Sequence, residues 1–399
     1  MSDMSGTPAY ERDAYLQELV TEVVRTGEHA GRPCAVLADT VLYPEGGGQP
    51  ADHGWLGEVA VVDVQRAEGE ILHLLASPVT PGPATVRLDW VRRFDHMQQH
   101  TAQHLLTAIA LERFGWRTTA FHLGAAVSDI ELDAPSLQPD RLDALEEAVA
   151  VEIRAARPVS ARRVGREEYA ALAVRSRGLP EGLTGDIRLL EIAGIDVNTC
   201  GGTHVRSTAE IEGLKLLGTE PMRGGTRLYW VAGGRLRRRL AAHEARSAAL
   251  RGLLDAGEDD FVPLIERRQG ELRDLDRRLR ATVGELAAAA AAALAARTET
   301  VVEAHFEGRD AAFLQQVARE LARLAPARTA LLTGGGEGAG FFVVSLGEGA
   351  AADLQALGRD VATALGGRGG GAGRTFQGKA TSLSGREAAL AVLRRLLRP

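Results

Sequence analysis

The 399-residue chain is 45% hydrophobic and 25% charged, the balance of a globular protein with a full core and room for several domains. Its two cysteines, Cys34 and Cys200, could pair once but make no disulfide framework, and they point to a reducing cytoplasm. The net charge of −6 excludes a generally basic nucleic-acid binder, although a local basic face can act within an acidic protein.

Residues 1–12 are polar and have no apolar segment of the secretory kind. Residues 1–89 read as a mostly β, barrel-like domain, with short apolar runs such as 35–37 and 59–62 bounded by Gly, Pro and Asp. Between them Gly46, Gly47 and Gly48 precede Gln49, and three glycines in a row suit a tight loop or a close backbone approach. Residues 90–240 read as α+β, helices packed on a mainly antiparallel sheet. Within them 95–114 is a helix that Asp95 can cap, with Leu105, Leu106, Ile109 and Phe114 at helical spacing and Gly115 at its end. Residues 121–132 alternate as a strand carrying His122, and 139–156 form a second amphipathic helix stopped by Pro158. An arginine-rich stretch runs to Asp186, and strands follow at 187–195, 211–217 and 227–231.

Residues 241–298 are rich in Ala, Leu, Glu and Arg, the composition of long helices, with a break expected at 257–263. This is a helical spacer or dimer arm. Its alanine-rich run 286–296 is too short and too weakly apolar to cross a bilayer, so no membrane partner is expected. Residues 299–399 read as a small α/β domain, with strands at 300–306, 329–333 and 341–346 and helices at 313–324, 354–365 and 385–397. The glycine run 366–374 lacks the Lys-Ser/Thr ending of a phosphate-binding loop, which leaves a flexible loop or one that contacts a ligand through its backbone.

Two short segments carry the chemistry. His100 and His104 stand four residues apart, as do Cys200 and His204. On a helix that spacing puts both side chains on one face. Three imidazoles and a thiolate make a four-ligand set for Zn2+. The second pair turns a weak signal into a strong one, because it uses one of only two cysteines and because Gly201 and Gly202 let the loop fold tightly. The zincin protease pattern does not fit, since Thr101 stands where that motif needs Glu. His96, one turn before His100, reads as a residue behind the ligands or on the surface. His29, His53, His73, His243 and His305 have no partner at ligand spacing and read as structural.

At these residues the sequence resembles the editing domain of alanyl-tRNA synthetases and the free-standing AlaX proteins. The segments 43–54, 95–106, 121–132 and 200–204 occur in that family's order, followed by 225–227 and 231–233, and 366–377 resembles the C-terminal domain of these synthetases. There is no room before Tyr10 for an aminoacylation domain, so a long AlaX-type protein acting in trans is expected. The resemblance implies hydrolysis of the ester between a wrong amino acid, Ser or Gly, and tRNA(Ala). The logic is physical, because a pocket built for Ala cannot strongly reject a residue that adds a hydroxyl or loses a methyl. It implies that His100, His104, Cys200 and His204 hold zinc and that Gly46, Gly47, Gly48 and Gln49 line the aminoacyl pocket. Gln103 and His122 fall where family members carry Thr and Gln near the substrate. The C-terminal domain would bind tRNA, form a homodimer, or both. The alternatives are a non-catalytic zinc-containing tRNA-binding protein and an editing factor for another tRNA. The arginines at 154, 157, 162, 163 and 166, and at 235, 237, 238 and 239, are the candidate phosphate contacts.

Overall fold

The protein is described by a computed structural model that covers residues 6–175, 185–336 and 339–396. It forms two compact units, Met1–Ala249 and Leu250–Pro399.

The first unit opens with a single helical turn, α1 (Ala9–Arg12), and six strands: β1 (Glu18–His29), β2 (Arg32–Leu37), β3 (Gly54–Leu56), β4 (Val59–Ala67), β5 (Glu70–Leu75) and β6 (Gly82–Leu88). They close into an antiparallel barrel of order β1-β2-β5-β4-β3-β6. Val23, Leu56, Val61, Val64, Leu75 and Val86 fill it. The long connection from β2 to β3 carries the glycine loop. Helix α2 (Trp90–Phe114) follows. It starts more than a turn before the expected residue 95, because Asp89 and not Asp95 caps it, the Asp89 side chain accepting from the Arg92 amide at 3.1 Å. Gly115 ends it in the left-handed conformation, φ 71°.

The expected strand 121–132 is two strands, β7 (Thr118–Leu123) and β8 (Ser128–Leu132), paired as a hairpin. Gly124 makes the turn, where a side chain would meet the Val127 carbonyl. Then come α3 (Pro139–Arg154), β9 (Val159–Val164), α4 (Arg166–Ala171), β10 (Ile187–Ile192), β11 (Asp196–Thr199), β12 (Leu214–Met222), β13 (Gly225–Ala232) and α5 (Gly233–Leu254). Residues 176–184 of the arginine-rich stretch lie outside the described residues. The strands form two antiparallel sheets, β11-β10-β9 and β12-β13-β8-β7. Helix α2 packs in the core between Leu145, Ile153, Leu190, Ile130, Leu228 and Trp230. Every residue from His96 to Ala110 is buried. Its polar side chains must therefore find partners inside the protein.

The second unit holds α6 (Phe261–Ala295), β14 (Val301–Glu307), α7 (Ala311–Leu324), β15 (Thr329–Gly336), β16 (Ala339–Ser345), α8 (Leu354–Ala364), β17 (Gly367–Ala372), β18 (Thr375–Ala380) and α9 (Arg386–Leu396). Its sheet has the order β14-β15-β16-β18-β17, with only β14 and β15 parallel. Ala287, Ala291 and Leu294 of α6 join Phe313, Leu314 and Val317 of α7 in one core cluster. Leu357 and Val361 of α8 and Ala389 and Leu393 of α9 join Phe342, Val344 and Phe376 in another. The glycine run is not a loop. It is the edge strand β17, and side chains at Gly367, Gly369 and Gly371 would collide with the carbonyls of Lys379, Gln377 and Thr375.

Candidate metal centre

His100 and His104 face one side of α2, with ring centroids 5.2 Å apart. The loop after β11 brings Cys200 and His204 to them. The His204 ring lies 4.4 Å from His100 and 5.2 Å from His104. Cys200 Sγ is 3.2 Å from His204 Nε2 and 3.5 Å from His100 Nε2. One ligand atom from each of the four residues lies within 4.8 Å of the others, a group that can hold a metal ion. Gly202 makes the approach possible. A side chain there would stand 2.3 Å from His100 Cε1 and 2.7 Å from Gln49 Oε1.

The far nitrogen of each imidazole faces an oxygen. His100 Nδ1 is 2.8 Å from Gln49 Oε1, and His204 Nδ1 is 3.2 Å from Thr101 Oγ1. His104 Nδ1 is 3.6 Å from the Asp196 carboxylate, which Arg175 grips through two bonds of 2.9 and 2.6 Å. Outer partners of this kind orient ligating histidines and set which nitrogen is free for a metal. The donor set and its backing therefore fit a bound ion.

The electrostatics agree. Burial works to raise the Cys200 thiol, but His100, His204 and His104 hold it well below its ordinary value. Burial opposes protonation of His104, yet the charges of Cys200 and Asp196 outweigh it and raise that imidazole. Burial drives His204 down to about 3. Asp196 is also buried, but His104 and Arg175 keep its carboxyl below the usual range. The Cys200 thiolate and the neutral His204 are states a metal requires, and His104 would release its proton on binding one.

The cluster sits in the wall of a cavity of about 1280 Å³, whose lining includes Gly47, Gly48, His100, Gln103, His104, Phe121 and Cys200. Gln103 is buried. Its Nε2 donates to Thr107 Oγ1 at 2.9 Å, and its Oε1 has no partner among the described residues. Gly48 must lack a side chain, since one would enter the Phe121 ring at 2.5 Å. Three of the expected pocket residues fall elsewhere, and Gly46, whose backbone pairs with Gln49, is one of them. Gln49 lies behind His100 and not on the cavity wall, and His122 turns outward to Asp129 at 3.0 Å. Phe121 faces the cavity, so the strand's two-residue period sends His122 the other way. His96 is buried and not on the surface, and burial first, then Arg92, lowers it to about 3. Gln49, Thr101, Asp196 and Arg175 are not legible in the sequence as partners of the ligands. Only the position of Thr101 between two ligand histidines, and of Gly202 beside Cys200, gives a sequence signal.

Most of the candidate phosphate-binding arginines are already paired. Arg154 meets Glu147, Arg157 meets Glu152, Arg162 meets Glu168, Arg163 meets Glu11, Arg237 meets Glu212, and Arg235 and Arg238 share Asp95. On the cavity lining, Arg188 donates to the Cys200 carbonyl at 2.6 Å. Arg117, also on the lining, makes no ion pair among the described residues. Among the described residues, no helix is long and apolar enough to cross a membrane.

Residues 187–229, which include Cys200 and His204, match the family described as Threonyl and Alanyl tRNA synthetase second additional domain. The chain is 37% identical to the alanyl-tRNA editing protein Aarsd1 of Mus musculus over 401 residues, covering 96% of each. It is 36% identical to the Rattus norvegicus Aarsd1 with the same coverage. It is 34% identical over 220 residues to the alanyl-tRNA editing protein AlaX-L of Pyrococcus horikoshii, covering 52% of this chain and 53% of that one. Likeness along nearly the whole length of the editing proteins, with the metal-type cluster assembled in the fold, places the chain in a family: it belongs to the alanyl-tRNA editing proteins, in the long AlaX form.

Proposed function

We propose that this protein is a zinc-dependent hydrolase that acts in trans, in the cytoplasm, to remove serine, and glycine, from tRNA(Ala). The observation that carries the reading is that His100, His104 and Cys200, three of the four residues that His204 completes as a ligand set, open onto a cavity of about 1280 Å³. That volume admits the aminoacylated end of a tRNA and not only a water molecule. The names of the full-length relatives support the tRNA.

Zinc held there supplies Lewis-acid polarisation of the ester or of nearby water. The chain's own residues do the rest. Gly47, Gly48 and Phe121 shape the wall around the amino acid. Gln103 Oε1, buried without a partner among the described residues, is an acceptor for a substrate hydroxyl or ammonium. A site that offers a hydrogen bond to a hydroxyl discriminates against analogues that lack it, alanine and glycine alike, so this contact favours serine. Arg117 and Arg188 supply positive charge on the lining for the terminal phosphates. A homodimer belongs to the same proposal, supported by Leu272, Leu275 and Leu279 exposed on α6.

A second reading, an editing factor for another tRNA, is favoured by the matching family's description, which covers threonyl as well as alanyl synthetases. The test is loss of the ester from Ser-tRNA(Ala), beside Ala-tRNA(Ala), a panel of other charged tRNAs and a Cys200→Ala protein. Rapid loss of serine, slow loss of alanine and an inert variant are expected. A folded, zinc-loaded protein inert on Ser-tRNA(Ala) but active elsewhere in the panel moves the assignment to that tRNA. Silence throughout leaves a non-catalytic zinc-containing tRNA-binding protein.

A further inference from the structure

We infer that Gln49 is a positioning residue that locks the tautomer of His100 and fastens the two halves of the ligand set together. The inference rests on the metal reading above, but it concerns a residue outside the four ligands and off the cavity wall.

Gln49 is 1% exposed. Its Oε1 lies 3.0 Å from the Thr203 amide nitrogen and 2.8 Å from His100 Nδ1, and its Nε2 donates to Thr203 Oγ1 at 2.8 Å. A backbone N–H can only donate, so the atom facing Thr203 N must be the oxygen, and the amide cannot be flipped. His100 Nδ1, facing the same oxygen, must then carry its proton. The remaining lone pair of His100 is on Nε2, the nitrogen that faces Cys200 Sγ at 3.5 Å. One side chain from the barrel connection thus fixes a ligand on α2 and the residue beside His204.

The loop that delivers Gln49 is built to be stiff. Gly46 and Gln49 exchange backbone bonds of 3.1 and 3.0 Å, and Tyr43 Oη donates to the Gly46 carbonyl at 2.8 Å. At the loop's base the Tyr43 amide donates to Asp52 at 2.7 Å, and Asp52 is held by the buried Arg93 of α2 at 2.9 Å from Nε. Arg93 also donates to the Val41 carbonyl at 2.6 Å. The loop is therefore anchored on the same helix that carries His100 and His104, two turns away from the ligand it orients. Gly47 and Gly48, with φ of 56° and 80°, supply the left-handed turn that swings Gln49 inward. Gly202 leaves the space Gln49 and His100 occupy.

The test measures zinc affinity by competition with a chromophoric chelator, and the visible spectrum of the cobalt-substituted protein, for wild type, Gln49→Ala and Gln49→Glu. Losing an outer partner of this kind costs about 10–100-fold in metal affinity. Gln49→Ala should weaken zinc by that factor and change the cobalt spectrum. Gln49→Glu keeps the acceptor for His100 Nδ1–H and Thr203 N–H, and should restore most of the loss. Equal zinc affinity and equal cobalt spectra for wild type and a folded Gln49→Ala would overturn the inference while leaving the metal reading intact. A Gln49→Glu protein that folds but is as weak as Gln49→Ala would overturn the acceptor role. Wild-type protein that takes up no zinc would overturn the metal reading, and this inference with it.

Discussion

The helices α2 and α6 obey opposite rules. In α2, fully buried from His96 to Ala110, polar side chains apart from Gln103, which pairs with Thr107 of the same helix, reach partners far along the chain. Arg93 reaches Asp52, 41 positions away, Gln99 reaches Ala232, 133 away, and Arg235 reaches back to Asp95, 140 away. In α6 the polar side chains pair within the same helix. Arg267 with Glu271, Arg277 with Asp274 and Arg280 with Asp276 are three or four residues apart and exposed. Leu272, Leu275 and Leu279 are the groups left uncovered along the same stretch. The difference teaches where specificity resides. A buried polar group is costly unless its one partner is in place, so α2 can hold only one set of neighbours. An exposed helix held by local ion pairs makes no such demand.

The contrast breaks most readily at Arg93 and Asp52. Both side chains are fully buried, and Asp52→Ala would leave a guanidinium without its counter-charge. A loss of about 3–5 kcal/mol in urea unfolding is expected. A variant as stable as wild type would mean that α2 tolerates unpaired polar groups after all. Next comes Gln99→Leu. Gln99 accepts from the Ala232 amide at 3.1 Å and donates to its carbonyl at 2.9 Å. Stranding both buried groups should cost about 2–3 kcal/mol.

His96 gives the same contrast a pH dependence. Burial first, then Arg92, lowers it from 6.5 to about 3. The folded value is below the unfolded one, so the folded protein holds this ring neutral. Its contribution to stability is fully present above pH 6.5 and is lost as the pH falls toward 3. Over that window His96 alone should add a slope of up to about 1.4 kcal/mol per pH unit. His96→Gln should flatten the stability profile between pH 6.5 and 4. An unchanged slope would assign the loss to other groups.

How much of this is legible in the sequence follows the same division. The four ligand candidates and the break before α6 rest on spacing along a few residues, and spacing is what a sequence displays. The helix start is different. Both Asp89 and Asp95 are acceptable caps, and Asp95 is instead held by Arg235 at 2.9 Å, a partner no local pattern reveals. Gln49 reads as a pocket residue because its glycines resemble a ligand loop, whereas its partners are 51 and 154 positions away. His122 is misplaced by strand period, since a single residue of phase decides which face it takes. The run 367–371 is misread for want of side chains. A strand of glycines shows no alternation, and its fit depends on the carbonyls of β18 beside it.

The smallest effect is expected on α6, where the contrast has its other limit. Leu275 is 60% exposed, with Leu272 and Leu279 similarly open at 66% and 62%. Truncating an exposed leucine to alanine removes little buried area and slightly favours the helix, so Leu275→Ala should shift stability by less than about 0.5 kcal/mol in a monomer. The same substitution behaves otherwise if the stripe is covered by a second copy in solution. Leucines at 272, 275 and 279 keep the three-then-four spacing of a coiled-coil seam. The variant would then lose stability in a way that depends on protein concentration, and sedimentation would move toward the monomer. A small, concentration-independent shift means that the 272–279 stretch of α6 is held by local pairs, with only the far end of the helix, at Ala287, Ala291 and Leu294, packed in a core. A large, concentration-dependent one means that its apolar face, like the polar face of α2, requires one particular partner, supplied in this case from outside the chain.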